Sequence, residues 1–171
     1  MTLDALNLLS RTEAALALSQ CCGSSQWAKT MALKRPYLDV DDLLVAADAV
    51  WNRLSVDDWK EAFACHPKIG ERKSDGGERS SPQTWADDEQ AGTREAPEQA
   101  LQALASANAE YERKFGYIFI VCATGKTAGE MAGILKQRMP NDPAQEILIA
   151  AEEQRKITNL RLKKLITPQQ S

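Results

Sequence analysis

The chain has only one histidine among its 171 residues, so acid–base catalysis by an imidazole has a single candidate residue. The histidine is His66, and it stands between Cys65 and Pro67 at the point where a helical pattern stops. Imidazole has an ordinary pKa near neutrality, so His66 is the obvious candidate for any acid–base chemistry. Because Pro67 disfavours helical geometry at the residue before it, we expect the ring to lie at a helix end.

Cysteine is also scarce, with four residues at positions 21, 22, 65 and 122 and no C-x-x-C pair. This spacing and the lone histidine indicate neither a zinc site nor a disulfide framework, so we expect reduced, mostly buried thiols and no metal. A phosphate-binding loop is incomplete as well. Gly125-Lys126-Thr127 has its last three residues, but Ile120 stands where the motif needs glycine.

A basic excess and long apolar runs are both missing. The formal net charge is −3, which argues against a nucleic-acid partner, and no apolar run is long enough to cross a bilayer. The first residues lack a basic region followed by an apolar stretch. We therefore expect a soluble cytoplasmic protein with no membrane partner.

What the sequence does have is helical periodicity. With 43% hydrophobic and 26% charged residues, one globular domain is the default. Capping boxes begin at Ser10 and Ser55, and Asp39 can cap a segment with one buried stripe. Further helices are predicted at about 82–91, from Pro97 to Phe115, over 127–139, and from Asp142 to roughly Ile166.

Two other segments are not predicted to be regular helices. Lys68 to Gln83 is rich in glycine, serine, proline and charge, which predicts an exposed loop. Tyr117 to Ala123 is a continuous β-branched and aromatic run that resembles a buried strand, yet no partner strand is evident. We expect an extended segment or a buried helix start there, with amides that can serve a ligand.

Taken singly, the candidate site residues have ordinary explanations. A lone histidine beside proline is more often a structural hydrogen bonder than a catalyst, and Glu89 and Gln90 would usually lie on a helix surface. The basic residues of the last helix, Arg161 among them, complement the helix dipole without any ligand. A non-catalytic helical interaction module therefore stands as one alternative.

Taken together, six motifs in order favour an enzyme. They are HPKIGE at 66–71, DEQAG at 88–92, N-x-x-Y-x-x-x-F-G at 108–116, FIVCA at 119–123 followed by Gly125, R-x-x-N at 138–141, and Arg161-Leu162. This series resembles the family of 2-oxo-4-hydroxy-4-carboxy-5-ureidoimidazoline (OHCU) decarboxylase, which makes (S)-allantoin in urate breakdown. The resemblance runs from His66 to Leu162.

The resemblance implies an all-α fold, a single-domain helical bundle of about seven to nine helices over residues 1–171. It also implies OHCU as the small-molecule substrate, no cofactor, and a homodimer. The family's catalytic histidine falls on His66, and Glu89 is the second residue that we expect to be catalytic. The expected substrate-binding residues are Pro67, Ala86, Asp87, Asp88, Glu89, Gln90, Phe119, Ile120, Val121, Cys122, Ala123 and Arg161. Ala86 stands where the family usually has serine.

The implied reaction needs little from the protein beyond positioning and proton transfer. The leaving carboxylate sits beside a ring C=N, so the substrate is its own electron sink and no cofactor chemistry is required. We expect His66 to carry the proton and Glu89 to polarise the substrate, while Arg161 anchors a carboxylate or carbonyl with Arg138 as its rival. A cofactor-free lyase or hydrolase acting on another ureido compound is the nearer alternative.

Overall fold

The structure, a computed structural model, describes residues 1–69, 85, 88–93 and 96–166. Across these residues there are eight α-helices, one short 3-10 helix and no β-strand, so the predicted all-α fold is confirmed. No helix within this part of the chain has the length and apolar character needed to span a membrane.

The helices are α1 (Leu3–Leu8), α2 (Arg11–Ser19), α3 (Ser25–Lys34), α4 (Val40–Trp51), α5 (Val56–Ala64), α6 (Glu98–Phe115), α7 (Ala128–Arg138) and α8 (Pro143–Leu165), with the 3-10 turn Ala91–Thr93 before α6. The contacts divide the chain into two compact units. The first contains residues 1–62 and the end of α8 from Arg155, and the second contains residues 63–154. The expectation of one domain over residues 1–171 stays a prediction.

Helices α2 and α4 of the first unit begin where the sequence predicted. Ser10 and Glu13 form the expected capping box of α2, and the Asp39 side chain accepts from the Asp42 N–H at the start of α4. Trp27 is fully buried and its indole N–H donates to the Ala47 carbonyl oxygen at 3.2 Å. The buried stripe of α4 consists of Leu43, Ala47, Val50 and Trp51.

Helix α1 is the element that the sequence did not predict. It is six residues long and buries only Leu6, so it has no repeating apolar stripe to detect. The Arg35 guanidinium holds the end of α1 by donating to the carbonyl oxygens of Leu6 and Leu9 at 2.5 and 2.7 Å. Long-range hydrogen bonds of this kind have no local sequence signal.

The second unit contains the helices that flank the candidate site. Helix α6 begins after Pro97 and ends at Gly116, whose φ of 79° is left-handed, as the glycine predicted. Helix α7 begins with a capping box between Thr127 and Glu130. The carboxylate of Glu130 accepts from the Thr127 N–H, and this bond lowers the Glu130 pKa.

Residues 117–123, which the sequence predicted as an extended segment or a buried helix start, connect α6 and α7 without forming a helix or a strand. Six of these seven residues are buried, and the exception is Ile118. Aromatic packing fixes the first half of this segment: the Phe119 and Tyr117 rings lie 5.3 and 6.0 Å from that of Tyr111. Because none of these seven residues is helical, the alternative of a buried helix start is wrong.

Candidate active site

His66 lies in a turn directly after α5, which ends at Ala64, as Pro67 predicted. Its backbone N–H donates to the Phe63 carbonyl oxygen at 3.1 Å. The side chain is partly exposed rather than packed away, so the ring can meet a small ligand.

Helix α6 holds the other end of this turn through two contacts. The Asn108 amide, itself buried, donates to the Ile69 carbonyl oxygen at 3.1 Å. Lys68 and Glu112 form an ion pair at 2.7 Å, although both side chains are 41% exposed, so the pair contributes little energy. The polar residue of the N-x-x-Y motif thus positions the backbone three residues after His66.

The His66 ring itself bonds to an amide from α8. Its Nε2 lies 2.7 Å from Oε1 of Gln154, a side chain with no exposed surface. Both residues belong to the second unit.

The predicted acid–amide pair lies in the short stretch 88–93. Glu89 keeps only 8% of its surface exposed, whereas Asp88 is exposed and Gln90 is partly exposed. Carboxylates are rarely this buried unless they are paired or functional, so Glu89 differs from the surface residue that its type alone would suggest. The expectations for Ala86 and Asp87, and for the loop beyond Ile69 up to Gln83, lie outside the described residues.

Gly92 brings this stretch against the turn before α7. A Cβ built on Gly92 would lie 2.0 Å from the Lys126 carbonyl oxygen and 3.2 Å from the Thr127 Cα. Only glycine allows two backbones to approach so closely. This contact places the segment that carries Glu89 beside the loop that follows residues 119–123.

The extended segment is held in place largely by bonds to its own backbone. The Cys122 N–H donates to Oε2 of Glu153 at 2.7 Å, and the Cys122 carbonyl oxygen accepts from Lys126 Nζ, also at 2.7 Å. The Ile120 carbonyl oxygen accepts from Nη1 of Arg138 at 2.7 Å. A carbonyl oxygen has two lone pairs, so these bonds use only part of the accepting capacity of Ile120 and Cys122.

The surroundings of Cys122 combine burial with charges of both signs. Burial is the main cause that raises the pKa of the Cys122 thiol, and the Lys126 ammonium works against it. The carboxylates of Glu153 and Glu89 raise the pKa further. The influence of Glu89 on this thiol is a second indication, after Gly92, that residues 88–93 and 119–123 are neighbours.

Arg138 is the centre of a buried polar cluster. Its guanidinium pairs with the Glu146 carboxylate at 2.5 Å, and the two side chains are only 7% and 0% exposed. Tyr111 donates its hydroxyl proton to the same carboxylate, and burial raises the Tyr111 pKa well above its ordinary value. The guanidinium also lies 4.7 Å from the centre of the Phe119 ring.

These contacts separate the two candidate arginines. Arg138 is engaged by Glu146, Tyr111 and Ile120, so it supports the extended segment and is not suited to anchor a ligand carboxylate. Arg161 is also buried, near the end of α8 within the first unit. Its part in substrate binding stays a prediction.

Neither a metal site nor a disulfide is formed by the described residues. Among them, no group of three His, Cys, Asp or Glu side chains is arranged to hold a metal ion. Cys21, Cys22 and Cys122 are buried and Cys65 is exposed, so the cysteines are mostly buried, as expected.

Comparison with known proteins decides the family. The family model for OHCU decarboxylase matches residues 7–163. The chain belongs to the OHCU decarboxylase family. A solved structure of an OHCU decarboxylase in the presence of (S)-allantoin is 41% identical in sequence, with a TM-score of 0.76, and the match covers 88% of this chain and 96% of that one.

Two relatives in the family differ in how much of their length the chain matches. The uric acid degradation bifunctional protein TTL of Arabidopsis thaliana is 41% identical over 147 residues, which are 86% of this chain but only 45% of that protein. The OHCU decarboxylase of Amia calva is 30% identical over 132 residues, which are 77% of this chain and 75% of that protein. The chain thus spans less than half the length of the Arabidopsis relative.

Three residues that contact the candidate site residues were missed by the sequence analysis: Lys126, Glu153 and Gln154. Gln154 bonds to His66 from 88 positions away, and Glu153 bonds to Cys122 from 31 positions away. The one available signal was a glutamine on the buried stripe of α8, between Ala150 and Thr158, where an apolar residue would be expected.

Proposed function

We propose that this chain decarboxylates OHCU to (S)-allantoin without a cofactor, as a carboxy-lyase of urate degradation. The observation that carries the proposal is the similarity to the OHCU decarboxylase solved in the presence of (S)-allantoin, which the chain matches over 96% of that protein. The burial of Glu89 and the placement of His66 in a turn, outside the packed core, give independent support.

The reaction follows from the chemistry of the substrate. The bond between carbon 4 and the carboxylate breaks, and its electron pair forms a double bond to carbon 5 while the C=N pair moves to the ring nitrogen, which takes a proton. Carbon 5 of this enol then takes a proton, and the 4-hydroxyl releases one to become a carbonyl. The sum is one proton consumed and one carbon dioxide released.

His66 is the residue that carries protons in this scheme. It takes the proton of the 4-hydroxyl and delivers one to a single face of carbon 5, which sets the (S) configuration. Glu89 holds or polarises the substrate, and its negative charge stabilises the imidazolium that forms when His66 takes the proton. Both residues act without covalent attachment to the substrate.

The remaining predicted residues bind and orient the ring. Gln90 hydrogen-bonds the ureido or ring amides, and backbone groups of residues 119–123 meet the hydantoin-like edge, where paired donors and acceptors match a fixed peptide geometry. Arg161 is the proposed anchor for a carboxylate or carbonyl oxygen. Pro67, Ala86, Asp87 and Asp88 complete the proposed binding surface.

The proposal includes the setting in which the enzyme works. We infer a cytoplasmic homodimer with a single catalytic domain per chain and no nucleic-acid or membrane partner. Sedimentation velocity measures the oligomeric state directly. A monomer across the concentration range used for catalysis would remove the dimer from the proposal and leave the reaction untouched.

Circular dichroism of the product tests the reaction itself. Substrate is generated in place by oxidising urate and hydrolysing the first product, and the protein is then added. We expect the dichroism of (S)-allantoin to appear faster than in the protein-free reaction, in proportion to protein concentration. Spontaneous, racemic kinetics with folded protein present would refute the proposal and favour the non-catalytic interaction module.

A further inference from the structure

The contact between His66 and Gln154 bears on which nitrogen of the imidazole carries a proton, because the amide oxygen Oε1 faces Nε2 of the ring. An amide oxygen has no hydrogen to donate, so a bond of 2.7 Å between Oε1 of Gln154 and Nε2 of His66 requires the hydrogen to be on the ring nitrogen. The neutral ring has one N–H and one lone pair. Nδ1 therefore holds the lone pair in this arrangement.

Two properties of Gln154, its burial and its lack of charge, suit it to orient the His66 ring. Its side chain is fully buried on a stripe of α8 that also contains Ala150, Ala151 and Ile157. Burying an amide costs free energy unless it is hydrogen-bonded, and an apolar residue would fill that position without this cost. The amide is also neutral, so it orients the ring without adding a charge that would favour the imidazolium.

We infer that Gln154 is a positioning residue that holds His66 with its proton on Nε2, so that Nδ1 exchanges the proton with the substrate. The inference rests on the proposed function for the role of Nδ1 in catalysis. In the step written above, the 4-hydroxyl proton passes to the Nδ1 lone pair, Nε2–H stays bonded to Gln154, and the proton leaves Nδ1 again to restore the neutral ring. Nothing is oxidised or reduced.

The single histidine makes this inference directly measurable. Protein labelled with ¹⁵N only at histidine, and free of any histidine tag, gives one pair of ring-nitrogen signals, both from His66. Protonated and unprotonated ring nitrogens resonate in separate regions of the spectrum. Above the titration midpoint, we expect Nε2 to be protonated and Nδ1 unprotonated. The reverse assignment would overturn the inference.

Two variants separate positioning from packing. Gln154→Met removes the amide while keeping the length of the side chain, so we expect the second tautomer to appear. We expect kcat to fall about ten- to a hundredfold, the size of loss seen when the orienting partner of a metal-bound histidine is removed. Gln154→Glu keeps an acceptor and adds charge. It should retain the tautomer and raise the titration midpoint of His66 by about 1–3 pH units, with the acidic limb of the kcat/KM profile moving in step.

Gln145 offers a matched control because it is an exposed glutamine on the same helix. Gln145→Met and Gln145→Glu should change neither the ring signals nor the pH profile. If Gln154→Met does not fold, the charge response of Gln154→Glu still decides. Ring signals unaltered in the folded Gln154 variants would overturn the inference, even in an active enzyme. Responsive ring signals in a protein that does not accelerate (S)-allantoin formation would instead overturn the proposed function and leave the tautomer assignment standing.

Discussion

At the scale of single residues, Glu89 tests whether the acid–amide pair takes part in catalysis. The residue keeps 8% of its surface exposed, and its negative charge raises the pKa of the Cys122 thiol. If it polarises the substrate, Glu89→Gln should lower kcat about tenfold or more while the fold is kept, because the amide preserves size and loses charge. Steady-state kinetics on the in-place substrate measure this change.

Glu98 provides the control for that substitution, since it is an exposed glutamate in the first turn of α6. Glu98→Gln should leave both kcat and KM as they are. Unchanged kinetics in Glu89→Gln as well would remove Glu89 from the site and leave its burial as a structural feature.

The second prediction for single residues concerns the reactivity of the cysteine thiols. Cys65 is exposed, whereas Cys122 is buried and its pKa is raised, chiefly by burial, so less of its thiolate exists at any given pH. Ellman's reagent at pH 8 should therefore modify one thiol rapidly in the native protein. Cys65→Ser should abolish the rapid phase, and a rapid phase that survives in that variant would contradict the assigned burial.

At the scale of elements, two glycines allow a matched comparison. The Cβ of Gly92→Ala would collide with the Lys126 carbonyl oxygen at 2.0 Å, so residues 88–93 must separate from the turn before α7. We expect lower stability and reduced turnover, because Glu89 moves with this stretch. Urea unfolding and the dichroism assay measure the two effects.

Gly133→Ala is the control, since its Cβ meets nothing within 4 Å and the residue lies within α7. Alanine there should stabilise the protein by about 0.5–1 kcal/mol and leave turnover unchanged. Equal stability changes of the same sign for Gly92→Ala and Gly133→Ala would show that the close approach at Gly92 is not a constraint.

The buried ion pair under the extended segment gives another prediction. Arg138→Met leaves the fully buried Glu146 carboxylate without its guanidinium, which should cost about 3–5 kcal/mol of unfolding free energy. The double variant Arg138→Met, Glu146→Leu should recover part of that loss, because both charges are then removed. Urea unfolding of the three proteins measures this. A single variant as stable as wild type would show that the pair does not support the Ile120 carbonyl.

Capping and stop residues in the sequence predicted most of the helices, but they did not predict the contacts between residues far apart in the chain. The capping boxes at Ser10 and Ser55 and the glycine stop at Gly116 were correct because each depends on residues close in the chain. For Tyr117 to Ala123, the sequence left an extended segment and a buried helix start open, and the structure has no helix there. The cause is tertiary, because Glu153, Lys126 and Arg138 bond the backbone of this segment.

The candidate site divides in the same way. His66 and Glu89 were selected because the ordered motifs resemble a family whose catalytic histidine falls on His66, and their catalytic roles stay predictions. The rivalry between Arg138 and Arg161 needed coordinates, because only the pairing with Glu146 shows that Arg138 is engaged. Gln154 gave only a weak signal, a polar residue on a buried stripe, because its contact with His66 joins residues 88 positions apart.

At the scale of the whole molecule, family membership over residues 7–163 and the position of the one histidine both support catalysis by His66. The central claim is that His66 delivers the proton that makes allantoin (S). The direct test compares the initial rate and the sign of product dichroism for wild type and His66→Asn under identical conditions.

An asparagine side chain keeps polarity at this partly exposed position but cannot exchange protons near neutrality. Far-UV dichroism should show both proteins equally helical. We expect (S)-allantoin at an accelerated rate from wild type and only the slow racemic background from His66→Asn. Stereospecific product from His66→Asn at a rate close to that of wild type would contradict the role of His66 as the proton donor.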